Sequence, residues 1–165
     1  MRRNELERDE HFAWEVLRKA HYATLAMTGA DGTPYCVPVN HVADEAYHVL
    51  YFHCAGAGEK WQLLEKEPPV CLTAVSRMSI VPNEFETAYD SAVVRGQAQV
   101  VTDEGERTKA LLLLVETLEP KGMGGLAACM ERCFANTQIV KIVPRQITGK
   151  QSHPSPKPTF GCGEH

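Results

Sequence analysis

Tyr51-Phe52-His53-Cys54-Ala55-Gly56-Ala57-Gly58-Glu59-Lys60-Trp61 is the most informative stretch of this sequence. An apolar, β-forming run ends in four small residues. A helical segment then opens with a lysine in its first turn. Small residues let the backbone approach a ligand closely, and a helix start presents free N–H groups. Those N–H groups and one lysine make a phosphate site in physical terms. The Gly-x4-Gly-Lys-Ser/Thr pattern of a P-loop is absent. Taken alone, the stretch also reads as a surface glycine loop followed by a solvated lysine, so the flanking segments have to decide.

Upstream, Phe12, Trp14, Val16 and Leu17 recur near helical spacing between charges, which predicts an amphipathic helix from Asp9 to Lys19 with Asp9 as its N-cap. Tyr22 to Thr28 is rich in β-formers, Gly29 to Gly32 carries the Asp-Gly hairpin signal, and Tyr35 to Val42 returns as a strand. Pro38 lacks an N–H, so that strand is expected at an edge, a bulge or a ligand-facing lip. Tyr47 to His53 completes a three-stranded meander. Downstream, a helix spans about Glu59 to Lys66 and stops at Pro68-Pro69. Val70 to Val75 reads as a short strand, Ser76 to Asp90 as a loop, and Ser91 to Thr102 as a long strand bent at Gly96. A helix capped by Asp103 runs to Leu118, with Leu111 to Val115 facing the core. A loop over Pro120 to Gly125, a short helix over Leu126 to Phe134 and a last strand over Thr137 to Ile147, interrupted by Pro144, complete the order. Short strands joined mostly by hairpins argue for antiparallel pairing and a barrel with helices packed outside it.

The chain has 165 residues, 44% of them hydrophobic, enough for one domain with a sizeable core. Residues 1–150 read as that domain and residues 151–165 as an extended Pro/Gly-rich tail. Seventeen basic against twenty-one acidic residues give a net charge of -4, and no basic stripe offers a footprint for nucleic acid. The longest apolar run, Ala110 to Val115, is far short of a membrane span. The charged segment Met1 to Glu10 lacks the apolar core of a secretory signal, so a reducing cytoplasm is the expected location. In that setting Cys36, Cys54 and Cys71 read as small buried hydrophobes. Cys129 and Cys133 share a helical face, but their spacing does not suit a zinc pair, so no metal site is expected. Cys162 lies in the tail.

Several segments in order resemble the FMN-binding split-barrel superfamily of pyridoxamine 5'-phosphate oxidase relatives, most closely its 5-nitroimidazole-resistance type. They are Ala23-Thr24-Leu25-Ala26 running through Asp31-Gly32 to Pro34, Val37-Pro38-Val39-Asn40, Tyr51 through Lys60, Pro69-Val70-Cys71, Ser91 through Ala98, and Val140 to Lys150. The resemblance spans roughly residues 5 to 150. It implies a mainly β fold with flanking helices, a six-stranded antiparallel split β-barrel, that forms a homodimer with FMN at the interface. It further implies that Pro38, Val39 and Asn40 lie along the flavin ring, that Phe52 and His53 pass beside the ring and ribityl chain, and that Lys60 holds the phosphate. Many members carry a second basic residue two positions before that lysine. Here the position is Gly58, which leaves the backbone N–H groups of Gly58 and Glu59 to share the phosphate. Ser91 would come from the partner subunit.

The residues themselves agree with that division of roles. Asn40 offers both a donor and an acceptor, which suits the pyrimidine edge of a flavin, or it closes a turn. His53 can donate to the cofactor, hold a small-molecule substrate as the candidate catalytic residue, or serve as a buried structural histidine. An FMN-dependent oxidoreductase acting on a small organic substrate is therefore expected. A non-enzymatic flavin or haem binding or sensor protein is the alternative.

Overall fold

The computed structural model describes residues 4–118 and 137–153. The expected loop at 120–125, the helix at 126–134, Cys129, Cys133, Cys162 and most of the tail lie outside the described residues. A short strand, β1 (Glu7–Arg8), precedes helix α1 (Glu10–Lys19). Asp9 caps this helix as its sequence predicts, its carboxylate accepting from the Phe12 N–H at 2.9 Å. Ala13, Trp14, Val16 and Leu17 form the buried face of α1. Strands β2 (Ala23–Thr28) and β3 (Pro34–Val39) form the expected hairpin, and β4 (His41–Asp44) pairs with β5 (Val49–Ala55). Helix α2 (Glu59–Leu64) leads to β6 (Pro69–Val81) and β7 (Glu86–Val100). Helix α3 (Glu104–Leu118) and strand β8 (Thr137–Ser152) follow. Asp103 caps α3 through the Glu106 N–H at 2.8 Å.

All pairings are antiparallel, in the order β3-β2-β6-β7-β8-β5-β4, with β1 added alongside β8. The two ends of that path, β3 and β4, are separated in the chain by Asn40 alone. One extended segment thus leaves β2 and joins β5, so the curled sheet meets itself through the chain and not through a hydrogen-bonded ladder. The described residues form eight strands, not the six expected, because one strand is interrupted at Asn40 and the two-residue β1 is added; the arrangement is otherwise that of a split barrel.

The main core fills the inside of this curl. Leu25, Leu50, Phe52, Leu72, Val94 and Ile142 alternate inward from their strands, and α1 closes one end with Trp14 and Leu17. A second cluster lies outside the sheet, where Ala110, Leu111 and Leu114 of α3 cover Val42, Tyr51 and Ile139. Polar ties fix α3 in place. The Tyr51 hydroxyl donates to Glu106 at 2.9 Å, Lys141 pairs with the same carboxylate at 3.1 Å, and Lys109 pairs with Asp44 at 2.6 Å. Burial and the Glu106 carboxylate together push the Tyr51 hydroxyl well above its ordinary pKa. No helix among the described residues is long and apolar enough to cross a membrane.

Three expectations need correction. Ser76 to Asp90 is no loop: β6 and β7 continue through it as a two-stranded arm, with Arg77 paired to Asp90 at 2.9 Å. Both faces of this arm meet solvent, so its residues carry no sided hydrophobic pattern. The last strand does not break at Pro144 but runs to Ser152. The proline is accommodated because Gly96 faces Pro144 while Arg95 faces Gln146, leaving Arg145 as the extra residue of a bulge. Of the three cysteines expected in the core, Cys54 is buried, Cys71 is half-buried and Cys36 is exposed. Cys71 alternates with the inward Leu72 of β6, and Cys36 alternates with Tyr35 and Val37 of β3, which pack against the core.

His41, to which its sequence context gives no role, is 2% exposed. Its Nε2 lies 2.8 Å from the Leu17 carbonyl, and its Nδ1 has no partner. A carbonyl only accepts, so Nε2 carries the proton and the ring is neutral. Burial holds its pKa below the ordinary histidine value, against the opposing pull of the Leu17 carbonyl. The unfolded chain therefore binds a proton here before the folded one does. Stability from this group is complete above about pH 6.5 and falls as pH drops through that value, by up to about 1.4 kcal/mol per pH unit. Urea unfolding of the parent and His41→Gln between pH 8 and 5 measures this. The parent should lose stability more steeply, and parallel slopes would remove His41 from the account.

Candidate functional site

The site is built where β5 runs out from under α3. Leu50, Phe52 and Cys54 face the core, while Tyr51, His53 and Ala55 face outward. Helix α3 buries Tyr51 but leaves His53 and Ala55 exposed. The chain then passes through exposed residues 56–58. Gly58 sits at φ 87°, a left-handed conformation that favours glycine, and opens α2 without a side-chain cap. The Gly58 carbonyl accepts from the Gln62 N–H at 3.1 Å, which starts the helix. The N–H groups of the first turn have no side-chain acceptor at the cap.

Lys60 stands in that first turn, half-buried. Among the described residues no carboxylate lies within ion-pair distance of it. Its charge is felt by both neighbours at the end of β5. Protein packed around the exposed His53 ring lowers that pKa first, and the Lys60 ammonium lowers it further. Burial raises the Cys54 thiol, with Lys60 opposing. His53 is thus held neutral at physiological pH, able to give one N–H hydrogen bond and accept another. A histidine titration by NMR should place its pKa below about 6.5. Lys60→Ala should raise that value without restoring it fully, because burial is the larger cause. An unmoved His53 would mean that the two groups do not share one site.

His41 pairs with Phe52, so one step further along the same register brings Asn40 beside His53. Both residues are exposed. The Asn40 amide donates to the His21 carbonyl at 3.0 Å, which holds the crossing segment against the start of β2. Pro38 is exposed on β3, an end strand as the missing N–H requires, where it pairs with Thr24. Val39 and Phe52 point into the core, so only their backbone is available to a ligand. His53, Gly58, Glu59 and Lys60 are thus brought together at the β5–α2 junction, while Asn40 stands at the crossing from β3 to β4 and Pro38 lies on β3.

Ser91 is not gathered there. Its hydroxyl donates to the Lys150 carbonyl at 3.4 Å, and it faces Val75 and Lys150 in the ladder. Val101 is the β7-side residue level with His53, since its N–H donates to Ile139 and Ile139 pairs with His53. Ten residues of strand from Val101 to Ser91 amount to roughly 33 Å. The residues that sequence reading missed are Arg95 and Arg145 at the bulge, because nothing in the sequence marks which residue of β8 is the extra one. No group of histidine, cysteine or acidic side chains among the described residues suits a metal ion.

The fold has close counterparts among solved structures. A putative 5-nitroimidazole antibiotic resistance protein from Bacteroides thetaiotaomicron is similar with a TM-score of 0.68 and 22% identity, over 86% of this chain and 83% of that one. The flavocytochrome Anf3 from Azotobacter vinelandii is similar at a TM-score of 0.78 and 19% identity, over 97% and 75% of the two chains. An FAD and heme binding protein from Mycobacterium smegmatis gives 0.78 and 18%, over 93% and 76%. No curated protein matches the sequence. The curl crossed at Asn40 and the β5–α2 junction both fall within residues 9–151, which match the model of the pyridoxamine 5'-phosphate oxidase family, and the chain belongs to that family.

Proposed function

We propose that this protein is a flavoprotein that binds FMN between two copies of itself and reduces a small organic substrate. The observation that carries the reading is Lys60. Among the described residues it is a cation without a carboxylate partner, at an uncapped helix start, beside a neutral histidine on an exposed strand end. A phosphate suits that cation and those N–H groups. Asn40 and His53, side by side in register, suit the polar edge of a ring.

When bound, the flavin would supply the hydride and electron chemistry. The protein's own residues would bind and orient. Lys60 and the N–H groups of Gly58 and Glu59 would hold the phosphate. The backbone of Val39 and Phe52, with Pro38, would flank the ring. The depressed pKa of His53 favours a hydrogen-bonding contact over proton donation at neutral pH. The proposed dimer rests on the family resemblance that brings Ser91 to the site. That residue lies far along β7 from His53 in its own chain, so a site using both residues needs a second copy related by a two-fold axis.

The names of solved relatives include FAD and haem binders, which sets the competing outcomes. The purified protein should show the double visible band of an oxidised flavin, and the released cofactor should have the mass of FMN. A Soret band, or the mass of FAD, would replace FMN in this account. A colourless protein that takes up no flavin would overturn it.

A further inference from the structure

A second candidate site lies on the outer side of the sheet, away from the β5–α2 junction. An open groove of about 620 Å³ is lined by Ala26, Pro34, Pro69 and Cys71 together with Arg95 and Arg145. Its size falls within the usual range for small-molecule clefts, roughly 300–1,000 Å³. The bulge in β8 makes it. Arg145 is the extra residue there, and a bulge re-aims the side chain it carries. Gly96 lets the two backbones close up, since a Cβ at that position would stand 2.4 Å from the Val143 carbonyl oxygen.

The two guanidinium groups are steadied by neutral acceptors. Arg95 donates to the Gln146 side-chain oxygen at 3.1 Å, and Arg145 donates to the Gln97 side-chain oxygen at 2.9 Å. Among the described residues no carboxylate pairs with either. Other arginines of this chain do find one: Arg77 pairs with Asp90, and Arg18 with Glu45. Each arginine carries five N–H donors, so most remain for a ligand. In a chain of net charge -4, two guanidinium groups oriented by glutamines over proline, alanine and cysteine surface form a local exception.

We propose that this groove binds a small organic anion, a carboxylate or phosphate on an apolar body. The planar guanidinium forks match the anionic head, and the proline and alanine walls take the body. Within one chain the groove stands apart from the residues beside Lys60. Gln146 lies seven residues along β8 from Ile139, the partner of His53, which is roughly 20 Å.

The test uses the protein as purified, with whatever cofactor it holds, and calorimetric titration of 1-naphthyl phosphate, 1-naphthoate and 1-naphthol. At least one anion should bind ten times or more tighter than the neutral alcohol, and its affinity should fall with added salt. Binding of the phosphate alone, or of the carboxylate alone, supports the site and names its class. Arg95→Gln and Arg145→Gln should each weaken the anion at least tenfold, while Lys19→Ala, at an exposed lysine of α1, leaves it unchanged. Both arginines are exposed, so the variants should melt with the parent. Equal binding of 1-naphthol, no heat from either anion at millimolar concentration, or loss in Lys19→Ala but not in Arg145→Gln would each overturn the proposal.

Discussion

Lys60→Ala is expected to weaken FMN binding ten- to more than a hundredfold. A hydrogen bond to a charged group contributes about 1.5–3 kcal/mol, and each 1.4 kcal/mol is a factor of ten in affinity. Here the lysine carries an unusual share of that load. Gly58 stands where a second cation would otherwise help, and Lys60 is the charge felt by both His53 and Cys54. The loss should be specific to phosphate. Riboflavin, which lacks it, should bind parent and variant alike. Fluorescence quenching titrations of the apoprotein with both flavins make the comparison in one experiment. Equal FMN affinities would return Lys60 to the status of a solvated surface residue. Equal losses for FMN and riboflavin would point to a disturbed strand end, not to a lost phosphate contact.

Gly96→Ala carries the second large effect, this time on stability. The added methyl would stand 2.4 Å from the Val143 carbonyl oxygen and 3.0 Å from its carbon, both backbone atoms that no rotamer change can move. Overpacking costs about 1–3 kcal/mol and occasionally more. Strand β8 must also separate from β7 beside its bulge, which places the cost near the upper end, about 3 kcal/mol. For a chain of this size the melting temperature should then fall by roughly 6–12 °C. Gly58→Ala gives a useful contrast. Nothing lies within 4 Å of its Cβ position, but its φ of 87° strains any side chain. With ψ at 174° the backbone lies in a region essentially reserved for glycine, and the expected cost is about 1–3 kcal/mol. Calorimetric melting of both variants measures contact and conformation side by side. A Gly96→Ala protein as stable as the parent would contradict the close approach of β7 and β8.

The contrast between these glycines shows which parts of the molecule its sequence makes legible. The β5–α2 junction is legible because strand, small residues and helix start follow one another within eleven positions. Local rules alone place Gly58 and Lys60. Helices α1 and α3 are legible for the same reason, with Asp9 and Asp103 capping them where the pattern begins. The split at Asn40 is not legible. Tyr35 to Val42 reads as one strand, and only the pairing partners reveal that β2 takes its first half and β5 its second. The arm formed by Arg77–Val81 and Glu86–Asp90 reads as loop because Met78 and Ile80 are exposed, so burial imposes no alternation there. His41 and the Arg95–Arg145 pair depend on register and on which residue a bulge leaves over. Such contacts are decided between strands, beyond the reach of a local pattern. Cys36 and Cys71 were misplaced because apolar neighbours in a strand predict a buried face without saying which alternate residue turns outward.

The proposed site holds a flavin between two copies of this chain. Sedimentation velocity of the purified protein, followed at once by protein absorbance and by flavin absorbance near the visible maximum, measures both together. The prediction is a single boundary at the dimer position carrying both signals. When dilution drives the dimer apart, the flavin signal should leave the protein and sediment as free cofactor. A monomer boundary that still carries flavin at the same ratio would contradict the shared site.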